Sequence, residues 1–333
     1  MYSVSVVVPV FNEAENIAPV YRELAAVADG HRDYRYEFVF VDDGSSDGTI
    51  DVLLEVSRGD DRVVVIQLRR NFGQTAAMQA GLDFAEGDLV VTIDGDLQND
   101  PAEIPRMIEK LNEGYDLVAG WRKHRKDRLL SRKIPSFLAN WLISRTTNVK
   151  LHDYGCTLKV LRRDVAKSIQ LYGEMHRFIP AIAAELGVRI AELPVNHRPR
   201  IRGTSKYGIS RTFRVLLDLL TVKFFLGFAK RPLHMFGGLG FASAFLGGTI
   251  LAVLTYERLV LAEPIGNRPA LLLGALLVLI GLQFFCFGLL AEILVRTYHE
   301  SQQKKTYAVR DVFTSRHMPP EEISRRKVVG VNR

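Results

Sequence analysis

Two acidic clusters in the first hundred residues carry the strongest chemical signal: Asp42–Asp43–Gly44–Ser45–Ser46 and Asp94–Gly95–Asp96. Each follows an apolar run, FVFV and VVTI, so the carboxylates are expected where strands end. Two carboxylates flanking one glycine can point at one ion. A hard divalent cation such as Mg2+ or Mn2+ prefers oxygen ligands and also takes phosphate oxygens. Such a cation neutralises a diphosphate leaving group. Other chemistries lack their motifs. No Gly-x-Gly-x-x-Gly follows the first apolar run, no Gly-x-x-x-x-Gly-Lys occurs, and no Cys/His cluster has zinc spacing. His124, His152, His176 and His197 are scattered and are read as surface or packing residues.

The elements that must position these carboxylates alternate between strand-like and helical patterns over residues 1 to about 120. Strands are expected at Ser3–Val10, Tyr36–Val41, Val63–Leu68, Asp88–Ile93 and Asp116–Ala119. They are nearly continuous in apolarity, as strands covered on both faces are. Helices are expected at Glu13–Ala28, Thr49–Arg58, Thr75–Ala85 and Pro101–Asn112, the last with a capped first turn after Asn99 and Asp100. This alternation implies an α/β fold with a mostly parallel sheet, and such sheets bind ligands at the carboxyl ends of their strands. Residues 120–200 are less regular and strongly basic.

The C-terminal part has a different character. No Asp, Glu, Lys or Arg lies between Arg231 and Glu257 or between Arg268 and Glu292. Each stretch exceeds the roughly 20 apolar residues that cross a bilayer as a helix. Two transmembrane helices, about 233–256 and 269–295, are therefore expected, joined as a hairpin. Residues 205–231 mix apolar residues with Arg and Lys and read as amphipathic interface helices. The domains so drawn are 1–204, 205–231, 232–296 and a tail at 297–333, to which no element is assigned. Lys230 and Arg231 before the hairpin, and Arg296, Lys304 and Lys305 after it, place both chain ends in the cytoplasm and the short link outside. The start MYSVSVVVPV has no basic n-region, so no signal peptide is read. The net charge of +7 fits anionic lipid or phosphorylated substrates. Cys156 and Cys286 are the only cysteines, which argues against a disulfide framework. A head group of an anionic lipid needs cationic partners near the bilayer surface. Arg200 and Arg202, just before the interface segment, and Lys206, at its start, meet that need.

VVVPVFNEAENI, FVFVDDGSSDGT, NFGQTAAMQAGLDFAEGDLVVTIDGDLQNDP and AGWR occur in this order and together resemble the inverting family 2 glycosyltransferases with a GT-A fold. DYGCTLKVLRRD, GEMHRFIPA, RPRIRGTSKYG and the two-span tail extend the resemblance to the polyprenyl-phosphate branch, similar to dolichol-phosphate mannose synthase and bacterial undecaprenyl-phosphate glucosyltransferases. The likeness covers essentially residues 3–300. A Gln-x-x-Arg-Trp motif, carried by processive polysaccharide synthases, is absent.

The resemblance implies a membrane enzyme of the cell inner membrane that transfers a sugar from a nucleotide donor to polyprenyl (undecaprenyl) phosphate. Glucose from UDP-glucose is the first expectation. GDP-mannose, a modified UDP-sugar or a catalytically silent scaffold are the alternatives. It implies that Pro9, Phe11 and Glu13 line the nucleotide pocket, that Asp42 contacts the base and that Asp43 supports the loop. Asp94, Asp96 and Gln98 would hold the metal, Mg2+ or Mn2+, and the diphosphate. Asp96 and Asp153 are the implied catalytic residues, Asp153 matching a position proposed as the base. Arg122 is assigned to the nucleotide sugar, and Arg200, Arg202 and Lys206 to the phosphates. Phe11 stands where many relatives have Tyr. A homo-oligomer and a separate flippase are the expected protein partners, and nucleic acid is not expected.

Overall fold

The computed structural model describes residues 2–123, 151–171, 175–199, 232–261, 263–266, 268–301 and 305–314. The chain divides into two units, Met1–Leu219 with Lys304–Arg333, and Leu220–Gln303.

In the first unit the described strands form one eight-stranded sheet of order β7-β5-β6-β4-β1-β2-β3-β8. Its centre is β1 (Tyr2–Val10) and β2 (Tyr34–Asp42). The last seven residues of each are buried, which explains their continuous apolarity. β3 (Val63–Leu68) and β4 (Leu89–Thr92) flank them in parallel. β6 (Lys159–Arg162) runs antiparallel between β4 and β5 (Leu117–Trp121), and β7 (Ile190–Pro194) closes that side parallel to β5. Val10 pairs with Asp42, and Val7 with Thr92. The carboxyl ends of β1, β2 and β4 therefore share one edge, where both acidic clusters emerge.

The helices follow the sequence pattern closely. α1 (Ala14–Gly30) buries Ile17, Val20, Leu24 and Ala28. α2 spans Thr49–Gly59 and α3 spans Gln74–Phe84. Pro101–Glu103 is a 3-10 turn leading into α4 (Ile104–Asn112), and the Asp100 side chain accepts from the Ala102 backbone N–H at 3.1 Å. α4 buries Ile104, Met107, Ile108 and Leu111, one stripe at helical spacing. α5 (Arg163–Ser168) and α6 (Ile179–Ala184) are short.

β8 (Val309–Thr314) is an element the sequence reading lacks. It adds antiparallel to the outer edge of β3, with Ile66 opposite Val312. Tyr307 fastens it: its hydroxyl donates to Asp83 Oδ2 of α3 at 2.7 Å, with Lys305 Nζ 3.2 Å from the same oxygen. Residues after the apolar hairpin thus lie in the same sheet as residues before it.

The second unit is α7 (Pro232–Val260) and α8 (Pro269–Ser301). Their apolar spans, Phe236–Val260 and Pro269–Ala291, have mean hydropathies of 1.7 and 2.5. Only 17% and 11% of these windows are buried, which does not suit core helices of a soluble protein. The two helices pack through glycine. A Cβ on Gly240 would sit 2.6 Å from the Gly281 carbonyl oxygen, and one on Gly247 would sit 2.6 Å from that of Gly274. Backbones approach this closely where small residues line a membrane helix pair. Ser243 Oγ donates to the Leu277 carbonyl at 2.9 Å. At the link, Arg268 pairs with both Glu257 and Glu263. Cys156 is buried, Cys286 is exposed on α8, and both are free.

Candidate active site

The turn after β1 is locked to the loop after β2. Asn12 adopts a left-handed φ of 54°, its N–H donates to Ser45 Oγ at 2.9 Å, and its Oδ1 accepts from Ser46 N at 2.9 Å. Glu13 N donates to Thr49 Oγ1 at 3.0 Å, and the Glu13 carboxylate accepts from Asn16 Nδ2. Pro9 is buried in β1, while Phe11 and Glu13 are half-buried. Asp43 supports the neighbouring loop: its two oxygens accept from Phe72 N at 2.8 Å and Gly73 N at 2.9 Å. Gly44 has φ +70°, and a Cβ there would lie 2.5 Å from the Arg70 carbonyl carbon, so only glycine fits this crossing.

Asp42 is fully enclosed. Its Oδ1 accepts from Ser45 N at 3.1 Å, whereas Oδ2 is buried with no hydrogen-bond partner among the described residues. Burial raises its pKa, opposed by Ser45. A buried unpaired acceptor costs about 1–3 kcal/mol unless a ligand satisfies it. Asp42→Asn is therefore expected to raise the donor KM about 10- to 100-fold, the loss of a hydrogen bond to a charged group worth about 1.5–3 kcal/mol. The same variant should melt higher than wild type. A carboxyl whose folded pKa is raised is stabilising only while protonated, so its penalty appears above the ordinary pKa of about 4 and grows with pH. The gain in melting temperature should then be larger at neutral than at acidic pH. An unchanged donor KM would remove Asp42 from the donor site.

Asp94 and Asp96 follow β4. Asp94 Oδ1 accepts from Gln74 Nε2 at 2.8 Å, at the start of α3, and Oδ2 accepts from Thr157 Oγ1 at 2.6 Å, just before β6. Asp96 Oδ1 accepts from Gln98 N at 3.1 Å. Burial and then the Asp96 charge push the Asp94 pKa up to about 6, against Thr157, Lys159 and Arg122. Among the described residues no group of three or more His, Cys, Asp or Glu can hold a metal alone. Two mutually repelling hard carboxylates still suit a cation that keeps waters and substrate phosphates as its remaining ligands. Leu97, between them and Gln98, adopts φ 63°.

Arg122 and Asp153 form one unit. Arg122 Nε and Nη2 donate to Asp153 Oδ2 and Oδ1 at 2.6 and 2.9 Å. Burial disfavours the Arg122 charge, yet Asp153 more than offsets it and holds its pKa above the ordinary value. Glu192 of β7 fastens the segment from the other side, accepting from Asp153 N at 2.9 Å and pairing with His152 Nδ1 at 2.7 Å. The His152 ring stacks on Trp121 at 4.2 Å. His176 is buried and bonded to Thr75 Oγ1 at 2.7 Å.

The segment leading to the basic stretch docks on the Asp94–Pro101 loop. Asn99 and His197 form a bridge, Arg198 N donates to Gln98 O at 2.8 Å, and the Arg198 guanidinium pairs with Asp100 and Glu23 at 2.8 Å each. Arg200, Arg202 and Lys206 lie outside the described residues. Gln74, Thr157 and Lys159 are site residues that the sequence reading did not single out. Lys159 is 1% exposed and its Nζ donates to the Cys156 carbonyl.

Residues 5–170 match the family model described as glycosyl transferase family 2. The dodecaprenyl-phosphate galacturonate synthase of Rhizobium johnstonii is 49% identical over 93% of this chain and 92% of its own length. The chain belongs to glycosyltransferase family 2. An undecaprenyl-phosphate 4-deoxy-4-formamido-L-arabinose transferase of Edwardsiella ictaluri is 38% identical over 96% of each chain. Among solved structures, the glucosyl-3-phosphoglycerate synthase of Mycobacterium tuberculosis, in complex with Mn2+ and UDP-glucose, aligns with a TM-score of 0.51 at 23% identity. It covers 67% of this chain and 79% of its own. The mannosyl-3-phosphoglycerate synthase of Rubrobacter xylanophilus also gives 0.51, at 19% identity, over 67% and 74%. These likenesses identify the sheet of this family 2 enzyme as a GT-A fold. The family 2 match ends at residue 170, before the hairpin, whereas both relatives align over more than 90% of the chain.

Proposed function

We propose that this family 2 enzyme transfers a sugar from a nucleoside diphosphate donor to a polyprenyl phosphate with inversion, at the cytoplasmic face of the inner membrane. The observation that carries this reading is the 49% identity, over 93% of the chain, to a relative named for a polyprenyl-phosphate acceptor. The donor follows the same logic. The named relatives carry a galacturonate and a formamido-arabinose, so we favour a UDP-linked uronic acid over the glucose expected from the motifs.

Asp94, Asp96 and Gln98 would hold Mg2+ or Mn2+, and the bound ion would neutralise the leaving diphosphate. Asp42 would accept from the base, in a nucleotide site bordered by Pro9, Phe11 and Glu13. Gln74 and Thr157 keep the Asp94 carboxylate in one orientation. Arg200, Arg202 and Lys206 receive the acceptor phosphate, and Arg198, two positions before Arg200, docks on the donor loop through Gln98 and Asp100. The acceptor phosphate oxygen attacks C1 of the sugar. The bond from C1 to the diphosphate oxygen breaks, and its electron pair leaves with the nucleoside diphosphate.

The topology has structural support in β8. β3, before the hairpin, and β8, after it, belong to one sheet, which supports an even number of bilayer crossings between them. The basic residues flanking the spans favour the cytoplasmic side for that sheet, with Ile265 outside. Two spans are too few for a sugar-translocation path, which leaves flipping of the product to a separate protein.

A donor panel tests the proposal: UDP-galacturonate, UDP-glucose, UDP-4-formamido-arabinose and GDP-mannose, each with undecaprenyl phosphate and divalent metal. The expected result is a lipid-linked uronic acid on chromatography. A lipid product from UDP-glucose alone would restore glucose, and no lipid product from any sugar nucleotide would overturn the acceptor.

A further inference from the structure

Asp153 occupies a position that the family resemblance gives to a base, yet its surroundings describe a different task. Oδ2 is held by Arg122 Nε at 2.6 Å, and Oδ1 by Arg122 Nη2 at 2.9 Å and by Gly155 N at 3.0 Å. A side-on guanidinium fork of this kind fixes orientation as well as charge. Both oxygens are engaged, so taking a proton from a substrate means giving up the fork.

The rest of the turn supports the fork from both ends. Glu192 holds the backbone of His152 and Asp153. At the other end Thr157 reaches Asp94, and buried Lys159 ties down the intervening Cys156 carbonyl. The five residues Asp153–Thr157 therefore connect the Arg122 guanidinium with the Asp94 carboxylate. Gly155 leaves the space this needs, since a Cβ there would lie 3.1 Å from Arg122 Nη2 and 3.5 Å from Asp153 Oδ1.

The chemistry has no use for a base at this point. A phosphate monoester has its second pKa near 6 and is largely a dianion at neutral pH. Its oxygen attacks C1 with an existing lone pair, and the departing diphosphate takes the bonding pair. No proton has to move. The step requires a fixed cation beside phosphate oxygens that carry the charge.

We propose that Asp153 is a positioning residue that holds the Arg122 guanidinium in the site as a phosphate-binding fork, and that it takes no proton from the acceptor. This rests on the function proposed above. Arg122 is the group that touches substrate, and Asp153 acts through it.

The test compares wild type, Asp153→Asn, Arg122→Lys and the double variant by nucleoside diphosphate release, from about pH 5.5 to about pH 9, spanning the acceptor's pKa of about 6. Each single variant is expected to lose about 10- to 100-fold in kcat/KM, as for a charge-assisted contact to phosphate. The double variant should be no worse than the poorer single, because the two residues act as one unit. The pH profile of Asp153→Asn should keep the wild-type shape. Gly155→Ala, which leaves every charge in place, should lower kcat/KM in the same direction and guards against misfolding of the charge variants. Loss of the acidic limb in Asp153→Asn, or multiplicative losses in the double variant, would overturn the positioning role. If lipid transfer fails in the wild type, the acceptor reading is wrong. The same four proteins then report on the fork through donor turnover alone, where multiplicative losses in the double variant overturn it.

Discussion

Asp96→Ala is expected to abolish transfer, by about a thousandfold or more in kcat/KM, while the protein remains folded and in the membrane. Among the described residues the site offers a cation the two carboxylates of Asp94 and Asp96, so removing one leaves an inadequate ligand set for stabilising the departing diphosphate, a contribution of several kcal/mol. The folded state should tolerate the change. Asp96 is half-buried and stands beside Asp94, whose pKa it helps to raise, so its removal relieves a repulsion. The melting temperature in detergent should therefore hold or rise while activity collapses. Near-normal transfer by Asp96→Ala without added metal would show that the acidic pair has no part in the chemistry.

The second large effect lies far from the acidic pair in sequence. Ending the chain after Lys304 should destroy the catalytic unit without preventing insertion of the hairpin. The lost segment includes Tyr307 and Val309, 3% and 5% exposed, the Tyr307–Asp83 hydrogen bond and the whole β3–β8 ladder. Burial of two such side chains contributes about 3–6 kcal/mol, against a typical domain stability of about 5–15 kcal/mol. The bared edge of β3 would also invite aggregation. Limited proteolysis of the truncated protein in membranes should show early cleavage within residues 1–199. A protease-resistant, active truncation would make β8 a dispensable tail.

That strand also shows where sequence reading stops. The five apolar runs of residues 3–119 declare themselves because both sheet faces are covered, as in Phe38–Val41, buried without interruption. The helices declare themselves through stripes such as Ile104, Met107, Ile108 and Leu111. β8 reads VRDVFT, six residues with two charges, and its partner β3 lies some 240 positions earlier. Nothing local to either segment states that pairing. β6 is hidden for a related reason: it begins with Lys159, a charge that a sequence pattern places outside and the structure places 1% exposed.

The site divides in the same way. The acidic clusters were legible because a carboxylate at the end of an apolar run points to the carboxyl edge of a sheet. Side chains that act only through tertiary contact were not. Thr157 and Gln74 hold Asp94 from 63 and 20 positions away, and neither residue type signals a site. Arg122 and Asp153 received separate roles from sequence, whereas 31 positions close into a single ion pair in the fold. The family resemblance places Asp42 at the base. Its enclosure, with Oδ2 lacking a partner among the described residues, is a property only the packed structure carries.

The central claim is inverting transfer of a sugar to a polyprenyl phosphate, and the configuration of the lipid product tests it most directly. NMR of the purified product should show sugar C1 bonded through oxygen to the lipid phosphorus, with anomeric configuration opposite to that in the donor, and one nucleoside diphosphate released per linkage. A product of retained configuration, or release of free sugar with no carbon–oxygen–phosphorus linkage to the lipid, would contradict the account.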